Sequence, residues 1–217
     1  ALHRRGHDVW LLDLRGCGGS RRGPSSVATI TFDDFVLKDG PAAISAILEA
    51  TGASKVHWVG FSMGGIIGTA ILGGPCGSQL QSLSLIGSPL RVGSTRVFGP
   101  LMELGRHLFG WRGAVPLRFL SRLGARLPRW LVAPFVGLLI NPHNVSWTAM
   151  RLAMDQSVED IPIGLLDQMN GWRENTRGHA GSLTHDVDYV QRLTEAPAIP
   201  LLCIAATGDH LGPVGAQ

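Results

Sequence analysis

The sequence has no long apolar run. Its longest, Leu131 to Ile140, is interrupted by Pro134, whereas a bilayer-spanning helix needs about 20 apolar residues, so no transmembrane helix is expected. Cysteine is scarce. Cys17, Cys76 and Cys203 are odd in number and lack metal-ligand spacing, which argues against a disulfide framework and a thiolate metal site. Free thiols suit a reducing compartment and favour the cytoplasm. No internal repeat is present, and no nucleic-acid-binding motif accompanies the charge. No secretory leader is visible, but the chain does not open on Met, so this decides nothing. Of 217 residues, 16% are charged and 45% hydrophobic, the balance of a globular domain with a sizeable core.

Apolar segments alternate between two periods. The pattern predicts strands over 8–13, 55–60, 82–87 and 199–205 and helices over 33–50 and 63–73, with a long insertion over 90–196. Strands alternating with helices imply a parallel sheet with crossover helices. The first helix has a clear start, because Thr31 precedes it and Asp33 and Asp34 occupy its first turn, where side-chain oxygens and negative charge are favoured.

The stretch most informative about chemistry is Lys55-Val-His-Trp-Val-Gly60-Phe-Ser62-Met-Gly64-Gly65. An apolar run ends in Gly-x-Ser-x-Gly and enters a small-residue helix, the layout of a nucleophile elbow. A serine hydroxyl is a weak nucleophile at neutral pH, so it must be exposed beside a base and a pair of oxyanion-binding N–H groups. A sharp strand-to-helix turn supplies both, with Gly60 and Gly64 expected where no side chain fits, Ser62 held in strain, and Gly65, Gly68 and Ala70 letting the helix pack closely. The pattern alone is weak, since chance yields roughly a quarter of a match in a chain of this composition.

Two further segments strengthen it. Upstream, Asp8 to Asp13 reads as a strand running into the glycine-rich turn Leu14-Arg15-Gly16-Cys17-Gly18-Gly19-Ser20. Downstream, Ile199 to Ala205 leads to Gly208-Asp209 and Pro213, delivering a carboxylate beyond a strand. Sites of open parallel sheets lie at such strand ends.

On Asp13-Leu-Arg15-Gly16 with Gly18 and Ser20, on Gly60-Phe61-Ser62-Met63-Gly64-Gly65, and on Gly208-Asp209 with Pro213, the chain resembles the α/β-hydrolase family, in particular its capped esterase, lipase and lysophospholipase-like members. The resemblance covers roughly 1–90 and 185–217. It implies a partial α/β-hydrolase parallel sheet with a large helical cap, divided as core over 1–89, cap over 90–196 and core again over 197–217. It implies that Ser62 is the nucleophile, that the Met63 N–H is one oxyanion donor, and that Asp209 is the acid of a Ser-Asp-His triad. Some relatives carry the acid after the strand that follows the elbow helix, but residues 86–92 hold no carboxylate. No cofactor and no metal are implied.

The family order places the histidine after the acid. Only eight residues follow Asp209, whereas a parallel crossover takes about a dozen or more. The triad histidine and the first oxyanion donor are therefore expected outside this chain, which reads as an inactive internal piece of a longer enzyme with open apolar sheet edges. Of the histidines present, His210 abuts the acid, His57 lies within a strand, His3 and His7 precede the first strand, and His107, His143, His179 and His185 belong to the cap. Asp13 and Arg15 are expected to pin the turn after the first strand and not to take part in chemistry.

Charge is unevenly placed. From Arg91 to Arg129 eight arginines face one acid, Glu103, so this segment carries +7 and the remainder −4. Arg118, Arg122 and Arg126 recur every four residues, with Leu117, Leu120, Leu123 and Leu127 on another face, as in an amphipathic helix. The favoured expectation is a solvated basic face above an apolar pocket. The sharper one is peripheral contact with an anionic lipid surface. Trp111, Trp130, Trp147 and Trp172 suit an apolar substrate or a core. The function expected is hydrolysis of carboxylic esters with apolar or lipid-like acyl groups. An acyltransferase on the same fold and a non-catalytic hydrolase-fold scaffold are the alternatives. No nucleic-acid partner is expected, and oligomeric state is left open.

Overall fold

The structure is a computed structural model that describes residues 2–22, 27–89, 98–137, 140–141, 144–174 and 187–206. In chain order its main elements are α1 (Phe32–Asp34), a π-helical turn (Phe35–Asp39), α2 (Gly40–Thr51), β1 (Val56–Phe61), α3 (Met63–Leu72), β2 (Leu80–Ile86), α4 (Phe98–Phe109), β3 (Ala114–Val115), α5 (Leu117–Arg126), α6 (Arg129–Val136), α7 (Trp147–Gln156), β4 (Ile161–Pro162), α8 (Ile163–Glu174) and β5 (Leu201–Ile204).

The first helix starts where its cap residue places it. The Thr31 hydroxyl accepts from the Asp34 N–H while the Asp34 carboxylate accepts from the Thr31 N–H, a reciprocal capping box that satisfies two otherwise orphaned donors. The helix then runs from Phe32 to Thr51 through the π-helical turn and stops at Gly52, which adopts φ 69°, the left-handed conformation that glycine reaches without steric cost.

β1, β2 and β5 form a parallel sheet in the order β1-β2-β5. α3 lies on the face of that sheet that carries Trp58, Gly60, Leu83 and Leu85, and α2 packs on α3. Ile66, Ile67, Ala70 and Ile71 of α3 interlock with Phe32, Phe35, Val36 and Ile44 to form the core. Leu165 and Trp172 of α8 and Tyr189 enter the same cluster. Trp172 meets Phe32 edge-on at 4.8 Å between centroids, a preferred aromatic geometry. Trp172 is thus a core residue, whereas Trp111 and Trp130 are exposed.

The strand expected over 8–13 is absent. Residues 7–14 pair with no strand among the described residues, and Leu11 is 94% exposed. Apolar periodicity creates a strand only where a neighbouring edge takes its N–H and C=O groups, and this segment pairs with neither outer strand of β1-β2-β5.

The basic helix departs from the favoured expectation at Arg118 and Arg122, which are half-buried, while Arg126 stays exposed. α5 packs on α7 through its polar side. The Ser121 hydroxyl donates to the Met154 carbonyl at 2.7 Å and Arg122 Nε donates to the Asp155 carbonyl at 3.0 Å. These are carbonyls of the last turn of α7, which lack intrahelical donors and favour cations. In return, Arg151 Nε of α7 donates to the Ala125 carbonyl at 2.8 Å near the end of α5. Phe119, Leu120 and Leu123, on the opposite side of α5, are exposed. Among the described residues no helix is long and apolar enough to cross a membrane.

Candidate active site

Ser62 is anchored on both sides. Its N–H donates to the Ile86 carbonyl at 2.9 Å, carrying the β1–β2 ladder one residue past the strand, and its carbonyl accepts from the Gly65 N–H at 3.0 Å. Between these anchors the chain passes from strand to helix within one residue. Ser62 accordingly takes φ 50°, ψ −120°, the only positive φ of a non-glycine among the described residues. Such a conformation costs about 1–3 kcal/mol and persists only where surrounding structure enforces it. Ser62 occupies the N-cap position of α3 yet makes no side-chain capping bond, and it is exposed. Its hydroxyl is therefore available for chemistry.

The N–H groups of Met63 and Gly64 stand in the first turn of α3, where no helix carbonyl can reach them and the helix dipole favours negative charge. The N–H after the elbow serine is where an oxyanion donor is required.

The glycines around the turn have unequal roles. A Cβ on Gly60 would run into the Gly64 carbonyl and the Gly65 N–H, and one on Gly65 would strike the Ser88 side chain. Gly68 likewise leaves room for the Trp58 indole and Leu83. Gly64 is different, because a Cβ there meets nothing within 4 Å. The expectation that Gly64 is needed for space is corrected. Close approach occurs one residue later, where α3 descends onto the end of β2.

Two residues that sequence reasoning passed over complete the support. Trp58 Nε1 donates to the Gly64 carbonyl at 2.9 Å, tying β1 to the first turn of α3. Ser88 is fully buried, and its hydroxyl donates to the Ile86 carbonyl at 3.1 Å beneath Gly65. The only cue in the sequence was the set of small residues Gly65, Gly68 and Ala70, which shows that something packs closely without naming it.

Asp209 lies outside the described residues, as do His143, His179, His185 and His210. Among the described residues no histidine is hydrogen-bonded to Ser62. His57 points its Nδ1 at the Ser82 hydroxyl, 2.7 Å away, and it lies five positions before Ser62, about 16 Å along an extended strand. No three His, Cys, Asp or Glu side chains gather as metal ligands among the described residues.

Asp13 and Arg15 are held in structural roles. The Asp13 carboxylate accepts from the Gly19 N–H at 2.8 Å, and its carbonyl accepts from the Ser20 hydroxyl at 2.8 Å. Arg15 binds Asp39 at 2.7 Å and Asp34 at 3.0 Å. The bond to Asp39 raises the Arg15 pKa against the opposing effect of burial. Burial pulls the Asp34 carboxyl upward, but bonds from Lys38 and the Thr31 N–H and the charge of Arg15 outweigh it, holding Asp34 below the usual aspartate range. Asp34 is thus stabilised as an anion by hydrogen bonds and opposite charge.

An exposed, strained serine heading a helix, with parallel strands and crossover helices behind it, can be compared with known proteins. Gastric triacylglycerol lipase of Rattus norvegicus is 42% identical over 69 residues, 29% of this chain and 18% of the lipase. Lipase member M of Homo sapiens is 33% identical over 69 residues, 29% of this chain and 16% of that protein. Less than a fifth of either lipase is therefore spanned. An alpha/beta fold family hydrolase from Bacillus anthracis str. Sterne aligns with a TM-score of 0.48 at 16% identity, over 94% of this chain and 66% of that one. The profile of the alpha/beta hydrolase fold matches residues 1–217. With the whole chain inside that match and its serine at the strand-to-helix turn, the protein belongs to the alpha/beta hydrolase fold family.

Proposed function

We propose that the protein is a serine hydrolase of carboxylic esters acting on apolar or lipid-like acyl groups, with Ser62 as nucleophile. The observation that carries this reading is the backbone of Ser62, whose positive φ at the head of α3 costs energy and exposes a hydroxyl that caps nothing. Strain of this kind is retained where a function needs it. Similarity over 69 residues to proteins named as lipases supports the ester class.

In this reading the Ser62 oxygen attacks the ester carbonyl carbon as its proton passes to a histidine base. The tetrahedral oxyanion is met by the Met63 N–H and a second N–H donor, and the histidine returns the proton to the departing alcohol. Water, deprotonated by the same base, then attacks the acyl-enzyme carbonyl, and as the bond to Ser62 breaks the base returns that proton to the Ser62 oxygen, releasing the acid. Asp209 orients the histidine and stabilises its protonated form. The insertion over 90–196 serves as the cap that shapes the acyl site.

Fluorophosphonate labelling of the full-length natural protein tests this. Labelling that disappears in Ser62→Ala supports an activated serine, and p-nitrophenyl esters of increasing chain length then rank the acyl preference. A folded protein that takes no label overturns the reading.

A further inference from the structure

α5 is inside out. Its arginine side is engaged with the end of α7, where Arg122 donates to the Asp155 carbonyl, Arg126 lies 4.0 Å from the Asp155 carboxylate, and Arg118 lies 3.9 Å from Glu159. Its apolar side faces outward, with Phe119 66% and Leu123 48% exposed. α6 follows after two residues and does the same, burying Val132 while Trp130 is 75% and Phe135 71% exposed. Single exposed apolar residues are ordinary, but a run of large ones across two successive helices marks an interaction surface.

Charge selects the partner. From Leu104 to Met154 the chain contains seven arginines and no carboxylate. The acids that neutralise α5 come from beyond this stretch, and no ion pair with a described carboxylate holds Arg112 or Arg129, both exposed at the margins of the apolar run. Arg112 lies over the Trp111 ring, 5.4 Å from its centroid. Apolar side chains bordered by unpaired cations and exposed tryptophans are the features of helices that lie in a membrane interface. A neutral protein partner would not call for the excess charge.

We infer that the outward faces of α5 and α6 form a docking surface for an anionic lipid bilayer, inserting Phe119, Leu120, Leu123, Trp130 and Phe135 among the acyl chains, with Arg112 and Arg129 at the headgroups. The surface is independent of Ser62, so it stands or falls separately from the hydrolase reading.

The test is co-sedimentation of the full-length protein with unilamellar vesicles of phosphatidylcholine, with and without phosphatidylglycerol, accompanied by tryptophan emission. Binding to the phosphatidylglycerol vesicles, weakened by added salt and accompanied by a blue shift that Trp130→Phe reduces, is expected. Phe119→Asp and Leu123→Asp, both on an exposed face where folding is not at stake, should each weaken partitioning about tenfold. Arg112→Gln and Arg129→Gln should each weaken it about fivefold on the anionic vesicles alone. Ser62→Ala should bind as the parent does, whether or not it takes a fluorophosphonate. The inference is overturned by absence of binding, by equal binding to uncharged vesicles, by binding that survives both aspartate variants, or by a dimer that Phe119→Asp dissociates while vesicles are ignored.

Discussion

The Tyr189 hydroxyl donates a 2.6 Å hydrogen bond to Oδ1 of Asp33, joining residues 156 positions apart. Gln168 donates to the same oxygen at 2.7 Å and accepts from the Phe32 N–H at 2.8 Å. Asp33, Gln168 and Tyr189 are all buried. This knot fastens α8 and the segment after it to the start of the first helix, and so to the core that backs α3. Tyr189→Phe keeps the ring but leaves a buried acceptor short of a donor. A loss of about 1–3 kcal/mol is expected, measured by urea unfolding at neutral pH.

The glycines of the elbow predict a contrast that sequence pattern alone does not. Gly64→Ala meets open space within α3, so it should leave the fold intact and add up to about 1 kcal/mol of helix stability. Gly60→Ala and Gly65→Ala place a Cβ against backbone or Ser88 and should abolish cooperative unfolding or soluble expression. Circular dichroism melts of the three variants side by side decide it.

Trp58→Phe retains the apolar bulk beside Gly68 and removes the donor to the Gly64 carbonyl. A stability change of about 1 kcal/mol is expected. The rate of fluorophosphonate labelling at Ser62 should fall further, by about tenfold, because the first turn of α3 carries the Met63 N–H. Equal losses in labelling rate and stability would assign Trp58 to packing alone.

Acid should act on the fold through Asp34. Its folded pKa is held below its unfolded value, so on lowering the pH the unfolded chain takes up the proton first. The stabilisation is complete above the ordinary aspartate range of about 4 and is lost as pH falls from there through the depressed folded value. Lys38→Ala removes a bond at 2.7 Å and should move the onset of acid unfolding to higher pH. Urea midpoints measured from neutral pH downward read this directly, and an unchanged onset would show that Lys38 has no part in it.

Much of the architecture was legible before any coordinates. Thr31 with Asp34 announced the helix start, and the run from Val56 to Gly65 announced a strand, a turn and a helix. The alternation of apolar segments implied parallel strands, as β1, β2 and β5 are, but not their order. These features are local, since cap bonds, glycine conformations and apolar periodicity act over a few residues. Residues 8–13 show where local reading stops, because a strand depends on an edge that its own sequence does not encode. The same holds for Gly64 and Gly65, whose difference is set by Ser88 arriving from the end of β2.

What the sequence by itself determined was therefore the kind of the elements flanking the serine and the place of the serine. Only the tertiary structure decided which side of each element turned inward. α5 is the clearest instance, since its periodicity defined two faces without ranking them. The part-buried carbonyls at the end of α7, which lack helix donors, take bonds from Ser121 and Arg122 and so orient α5 with Phe119 and Leu123 outside, because a desolvated carbonyl left without a donor carries a penalty that periodicity does not encode.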